Sequence, residues 1–148
     1  MSGLAQQPNH HFHYTIGVKS TQEKTWDLLT DVSRWSDWDT ELKSATLFSN
    51  FGLGAKGELI PKKGPKLPFE ITAYSAGKFY IFTTKMPIGS LEIRRSLVSK
   101  AGITYFTDDI QFTGFLRRLF GMILGRSFKL VLPEVMENFR KMVEKRDA

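Results

Sequence analysis

Phe69-Glu70-Ile71-Thr72-Ala73-Tyr74-Ser75-Ala76-Gly77-Lys78-Phe79-Tyr80-Ile81-Phe82-Thr83-Thr84 decides the fold. Apolar and polar residues alternate on both sides of Ala76-Gly77, as in two antiparallel strands that each bury one face. A two-residue turn there sets Ala73 opposite Tyr80, Ile71 opposite Phe82 and Phe69 opposite Thr84. The pattern runs on through two more strands. A turn at Pro87-Ile88 sets Thr84 beside Leu91, Phe82 beside Ile93 and Tyr80 beside Arg95. A turn at Ala101-Gly102 sets Leu97 opposite Phe106, Ile93 opposite Ile110 and Leu91 opposite Phe112. One face stays apolar across all four strands, and a one-residue slip in any of them would break it.

Upstream, Ala45-Thr46-Leu47-Phe48 and Lys56-Gly57-Glu58-Leu59-Ile60 read as two further strands, joined through Phe51-Gly52-Leu53-Gly54. Pro61 to Pro68 is a loop by its proline and glycine content. His11 to Lys19 alternates strictly, with Phe12, Tyr14, Ile16 and Val18 on one face, and residues 1–10 before it read as a flexible leader. Ser20-Thr21-Gln22-Glu23 matches a capping box, so a helix starts at Ser20 with Trp26, Leu29 and Val32 on its buried side. A second short helix or turn follows at Trp35-Ser36-Asp37-Trp38-Asp39. Downstream, Phe128, Leu132, Val135, Phe139, Met142 and Val143 recur at helical spacing opposite Glu134, Glu137, Lys141, Glu144 and Lys145. Gly121, Gly125 and Pro133 predict a kink or break at the start of that tail.

The chain has 148 residues, 41% hydrophobic and 13% aromatic, enough for one core and one domain. Without cysteine it has neither disulfides nor thiolate metal ligands. The N-terminal residues lack the cationic and apolar pattern of a signal peptide, so a cytoplasmic location is the expectation. The net charge of +6 is scattered; Lys62-Lys63-Gly64-Pro65-Lys66 and Arg117-Arg118 are the dense basic spots. Neither has the interleaved aromatics of a single-strand binder, so nucleic acid is not expected. His10, His11 and His13 have no second cluster of ligands to complete a metal site. No Gly-x-Ser-x-Gly elbow or cysteine nucleophile is present.

The order of elements resembles the helix-grip fold of the START-related, birch-pollen-allergen-like (SRPBCC) superfamily, in particular its polyketide cyclase/dehydrase branch. The residues that carry the resemblance are Ser20 to Leu29, the two-tryptophan turn at Trp35 to Asp39, Gly52-Leu53-Gly54, the strand Thr104 to Gly114 and the closing helix from Leu132 to Phe139. It implies an α+β domain over residues 11–148. A curved antiparallel sheet of about six to seven strands would wrap a long C-terminal helix, with two short helices after the first strand. It also implies a cavity between sheet and helix for a lipid, polyketide or aromatic metabolite, without fixing a reaction.

The expected walls of that cavity are Phe69, Ile71, Phe82, Ile93, Phe106, Ile110, Phe139 and Met142. Tyr80, Arg95 and Asp108, side by side on consecutive strands, are the polar exceptions on the apolar face. They form either a ligand anchor or a self-satisfied ion pair, since a buried charge needs a partner. Asp108 as a general base would need a raised pKa, and an adjacent arginine works against that, which favours binding over catalysis. Trp35 and Trp38 either cap the cavity mouth or seal one end of the core. Phe115-Leu116-Arg117-Arg118-Leu119-Phe120-Gly121-Met122-Ile123-Leu124-Gly125-Arg126 reads as a buried lid with outward arginines, or as a helix lying on anionic lipid. The primary reading is a carrier or sensor of a small hydrophobic ligand without a cofactor. A cyclase/dehydratase and a peripheral lipid-transfer module are the alternatives, and a homodimer stays open.

Overall fold

The computed structural model describes residues 3–86, 89–115 and 117–146, apart from the side chain of Phe120. Strand β1 (His11–Val18) leads into helix α1 (Gln22–Leu29), a 3-10 turn (Val32–Arg34) and the short helix α2 (Trp35–Trp38). Six strands follow: β2 (Leu42–Leu47), β3 (Lys56–Pro61), β4 (Leu67–Ser75), β5 (Phe79–Met86), β6 (Gly89–Lys100) and β7 (Ile103–Thr113). The chain closes with α3 (Arg117–Phe120), a wide π-helical turn (Gly121–Gly125) and α4 (Arg126–Arg146).

All strand pairs are antiparallel, in the order β1-β7-β6-β5-β4-β3-β2. The α1–α2 segment carries the chain from one edge of this sheet to the other. The sheet is a curled half-barrel, and α4 lies on its concave side, a helix-grip fold. The inner face of the sheet and the apolar stripe Leu132, Val135, Met136, Phe139 and Val143 of α4 form the core. Phe139 joins the two layers, its ring centroid 4.9 Å from that of Phe106 and 5.0 Å from that of Trp38.

The β5–β6 and β6–β7 registers match the alternation: Tyr80 faces Arg95, Phe82 faces Ile93, Ile93 faces Ile110 and Arg95 faces Asp108. Ala101 (φ 53°) and Gly102 (φ 81°) form the two-residue turn between β6 and β7, with the paired positive φ that suits a twisted hairpin. The expected turn at Pro87-Ile88 lies outside the described residues. Between β4 and β5 the turn is one residue longer than expected, with Ser75 facing Phe79, so Ala73 lies opposite Ile81 and not Tyr80. A bulge between Ile71 and Ala73 absorbs the slip and restores Ile71 to Phe82.

Three other expectations need correction. Thr21, not Ser20, caps α1, its hydroxyl accepting from the Lys24 amide. Leu28 takes the core position expected of Trp26, which is only partly buried against Tyr74 and Tyr80. Residues 3–10 are not a free leader. Leu4–Gln6 form a 3-10 turn, Gln7 exchanges two hydrogen bonds with the His13 backbone, and Lys129 of α4 donates to the carbonyls of Ala5 and Gln7. A Cβ on Gly125 would collide with the Asn9 carbonyl, so the absent side chain is what lets the π turn lie on this strap. That wide turn is where the expected helix break falls, and α4 then runs through Pro133 unbroken.

Candidate functional site

The site is built on the last carbonyl of α1. A helix ends with unsatisfied carbonyls, and that of Leu29 accepts from the Tyr80 hydroxyl at 2.7 Å and from Trp35 Nε1 at 2.9 Å. Those two bonds tie α1 and α2 to the concave face of β5. Arg95 Nη1 donates to the Tyr80 hydroxyl at 3.2 Å, and Arg95 Nε lies 3.7 Å from Asp108 Oδ2. Tyr80, Arg95 and Asp108 are therefore adjacent and face inward.

All three are sealed, with exposures of 0%, 3% and 2%. The Arg95 guanidinium lies 4.7 Å from the Trp35 ring centroid and 4.9 Å from those of Trp38 and Phe82, so aromatic faces close over a charge that water does not reach. Trp35 also packs on Phe82 at 5.1 Å and on Phe69 at 5.6 Å. Both tryptophans are fully buried. A molecule could touch Arg95 only if part of this packing moved aside.

Burial dominates the electrostatics. It raises the Asp108 pKa to about 6, with Arg95 pulling the other way, and raises that of Tyr80 to about 12 against the same opposition. Arg95 thus pulls the Asp108 pKa down as its charge requires, but burial outweighs it. For Arg95 itself burial disfavours the charge, but Tyr80, Asp108 and Asp39 outweigh it and its pKa is raised. Burial also raises the pKa of Asp39, just past α2, against the pull of Arg95. Thus the charges of two carboxyls, Asp108 close by and Asp39, both favour the charged guanidinium.

Hydrogen bonding around this cluster is incomplete. Among the described residues, Asp108 Oδ1, Arg95 Nε, Thr84 Oγ1 and Trp38 Nε1 are buried polar atoms without a hydrogen-bond partner. Thr84 lies on the concave face of β5 opposite Leu91, two residues beyond Phe82. The expected register had already put Thr84 on this face, so alternation alone could have added it to the site; Asp39 had no comparable signal.

The wall residues divide into two groups. Phe69, Ile71, Phe82, Phe106, Ile110 and Phe139 are buried in the packed core. Ile93 and Met142 are only partly buried. Ile93 is informative because it sits mid-strand on the concave side, flanked by Phe82 and Ile110, yet remains in reach of solvent. The interior is filled at the tryptophan end, where both rings are fully buried, and Ile93 is the concave-face position that keeps some exposure. Two open depressions, of about 540 Å³ beside Ser20 and Gly102 and about 180 Å³ between α1 and the end of α4, lie away from the cluster.

On the convex face Arg94 lies opposite Asp109 and Glu92 opposite Gln111. His11 Nε2 is 3.0 Å from Asp109 Oδ1, a surface pair. Among the described residues no three metal-ligating side chains cluster.

The fold has known counterparts. A Thermus thermophilus protein superposes with a TM-score of 0.74 at 10% identity, over 93% of this chain and 99% of the other. A START superfamily protein from Mycobacterium smegmatis gives 0.70 at 17% identity, over 92% and 98%. A di-domain ARO/CYC of the steffimycin biosynthetic pathway gives 0.73 at 8% identity, over 93% of this chain and 51% of that one. At such identities the likeness shows the fold alone. No curated protein sequence matches the chain. A family model described as polyketide cyclase / dehydrase and lipid transport matches residues 9–144, which takes in every strand and nearly all of α4. The chain belongs to the polyketide cyclase / dehydrase and lipid transport family.

Proposed function

We propose that the protein binds a small apolar molecule carrying one polar group, held between the sheet and α4. The observation that supports this most is the set of buried polar atoms without hydrogen-bond partners in the interior: Arg95 Nε and Asp108 Oδ1 side by side on the concave face, Trp38 Nε1 from α2 beside them, and Thr84 Oγ1 farther along β5. Each such atom costs about 1–3 kcal/mol when buried unpaired. A ligand hydroxyl, carbonyl or carboxylate brought to this cluster would recover part of that cost. Apolar bulk would rest on Ile93, Ile110, Phe82, Phe69, Ile71, Phe106, Phe139 and Met142. Trp35 and Trp38 act as the movable wall, because their rings separate Arg95 from any entrant.

Dodecanoate and dodecanol test this as a matched pair, with tryptophan emission as the readout. Both are expected to bind, and Arg95→Met to weaken dodecanoate about tenfold or more while sparing dodecanol, as befits a charge-assisted bond. Absence of binding by either molecule, or equal weakening of both, would count against the reading.

A second reading is a cyclase or dehydratase in the same interior, favoured by the Asp108 pKa of about 6. A carboxylate poised near neutrality can take a proton from a carbon beside a carbonyl, and Arg95, whose Nε–H has no hydrogen-bond partner, can donate to the oxyanion that forms. The steffimycin-pathway neighbour lends this reading support at the level of fold. Asp108→Asn should then abolish turnover of a poly-β-carbonyl substrate while leaving its binding in place; unchanged turnover removes it.

A further inference from the structure

The segment from Phe115 to Arg126, read from sequence as a buried lid or a helix lying on lipid, is not a buried lid, and Leu130 one turn on shares its exposure. Phe115 is 91% exposed, Leu119 46%, Met122 68%, Ile123 62% and Leu130 73%. These are five of the ten large apolar side chains left exposed among the described residues, gathered within one stretch of chain. The opposite side of the segment explains why they point outward. Gly121 packs on His10 and Gly125 on Asn9, Phe128 stacks near Phe112, and Leu132 is buried, so the inward stripe is already occupied. Arg117, Arg118 and Arg126 are exposed among the apolar residues. Lys129, by contrast, is taken up by the carbonyls of Ala5 and Gln7.

From Gln111 to Pro133 the chain contains no acidic residue. We propose that this face docks on an anionic lipid bilayer, with Met122, Ile123, Leu119 and Leu130 entering the headgroup boundary and Arg117, Arg118 and Arg126 contacting lipid phosphates. Among the described residues no helix is long and apolar enough to cross a membrane, so the segment lies in the interface plane. Charge complementarity selects this occupant. A second copy seated on the same patch would bring three arginines against three arginines with no acidic residue in the segment itself to offset them, a like-charge contact that disfavours such a dimer. A nucleic acid would satisfy the arginines but leave the aliphatic side chains against a polar backbone. A bilayer surface offers both an anionic plane and an apolar layer beneath it.

The inference does not rest on ligand binding in the interior, and each can fail without the other. The test is flotation with vesicles of phosphatidylcholine and phosphatidylglycerol against vesicles of phosphatidylcholine alone, at low and high salt. Wild type is expected to float with the anionic vesicles and to release as salt screens the arginines. Met122→Asp/Ile123→Asp and, separately, Arg117→Ser/Arg118→Ser should each weaken partitioning about tenfold or more, with unchanged urea midpoints. Because the chain has no cysteine, Met122→Cys carries an environment-sensitive fluorophore at one site, and its emission should shift blue only with anionic vesicles. Failure to float with anionic vesicles at low salt, or binding unaltered in both double variants, overturns the proposal. So does a dimer, seen by sedimentation, that Met122→Asp/Ile123→Asp dissociates, since the patch would then be a protein interface.

Discussion

Asp108→Asn should make the protein progressively more stable, relative to wild type, as pH rises. The buried Asp108 has its pKa raised from the ordinary 3.8 to about 6, so the folded protein keeps this proton to a higher pH than the unfolded chain does. Its contribution to stability is therefore complete below about pH 3.8 and is lost as pH climbs through about 6. A shift of about two units at about 1.4 kcal/mol per unit is about 3 kcal/mol, most of which falls between about pH 4 and about pH 7. With only 2% exposure there is little solvent screening to reduce it. Asparagine keeps the shape and does not titrate. Losing a partner of Arg95 adds an offset of either sign, but that offset is nearly independent of pH. Asp39 titrates in the same direction in both proteins, and removing the Asp108 charge eases its ionisation, which adds to the expected slope. Urea unfolding of both proteins in buffers from about pH 4 to about pH 7 reads the difference directly. A difference that stays flat within about 0.5 kcal/mol across that range would refute the claim that this carboxyl pays for its burial.

Tyr80→Phe removes the hydroxyl that bonds Leu29 and receives Arg95, and should cost about 1–3 kcal/mol in urea unfolding. Gly57→Ala on β3 drives a Cβ into the Thr46 carbonyl and the Phe69 ring, and should cost about 1–3 kcal/mol or more by the same measure. Gly125→Ala presses on the Asn9 carbonyl and should speed amide exchange in residues 3–10 while leaving β5–β7 protected, as local release of a strap requires. Ile93→Trp, which adds bulk at the partly exposed position of the concave face, should weaken dodecanol binding about tenfold or more with a small change in stability.

The sheet was legible because alternation and turn chemistry act locally. Tyr80–Arg95 and Arg95–Asp108 followed from where the turns must fall, and a bulge near Thr72 rescued the one turn whose length was misjudged. The strap formed by residues 3–10 was not legible, because its partners Lys129, Gly121 and Gly125 lie more than a hundred residues away and leave no periodic trace. Nor was the sealing of Arg95, which depends on Trp35 and Trp38 arriving from the crossover between the sheet edges. The sign of the Asp108 shift depended on burial outweighing an adjacent charge, a balance set by packing rather than by sequence neighbours. In the 115–126 segment the same apolar residues suit a lid or a docking face, and the contacts of Gly121 and Gly125 with His10 and Asn9, with Phe128 against Phe112, reveal which side points inward.

The most direct test of an apolar ligand between sheet and helix is a set of intermolecular NOEs from bound dodecanol to isotope-labelled isoleucine methyls. The account predicts cross-peaks to Ile93 and Ile110 on the concave face. Cross-peaks to Ile123, 62% exposed on the outer face of the helical segment, with none to Ile93 or Ile110, would contradict it.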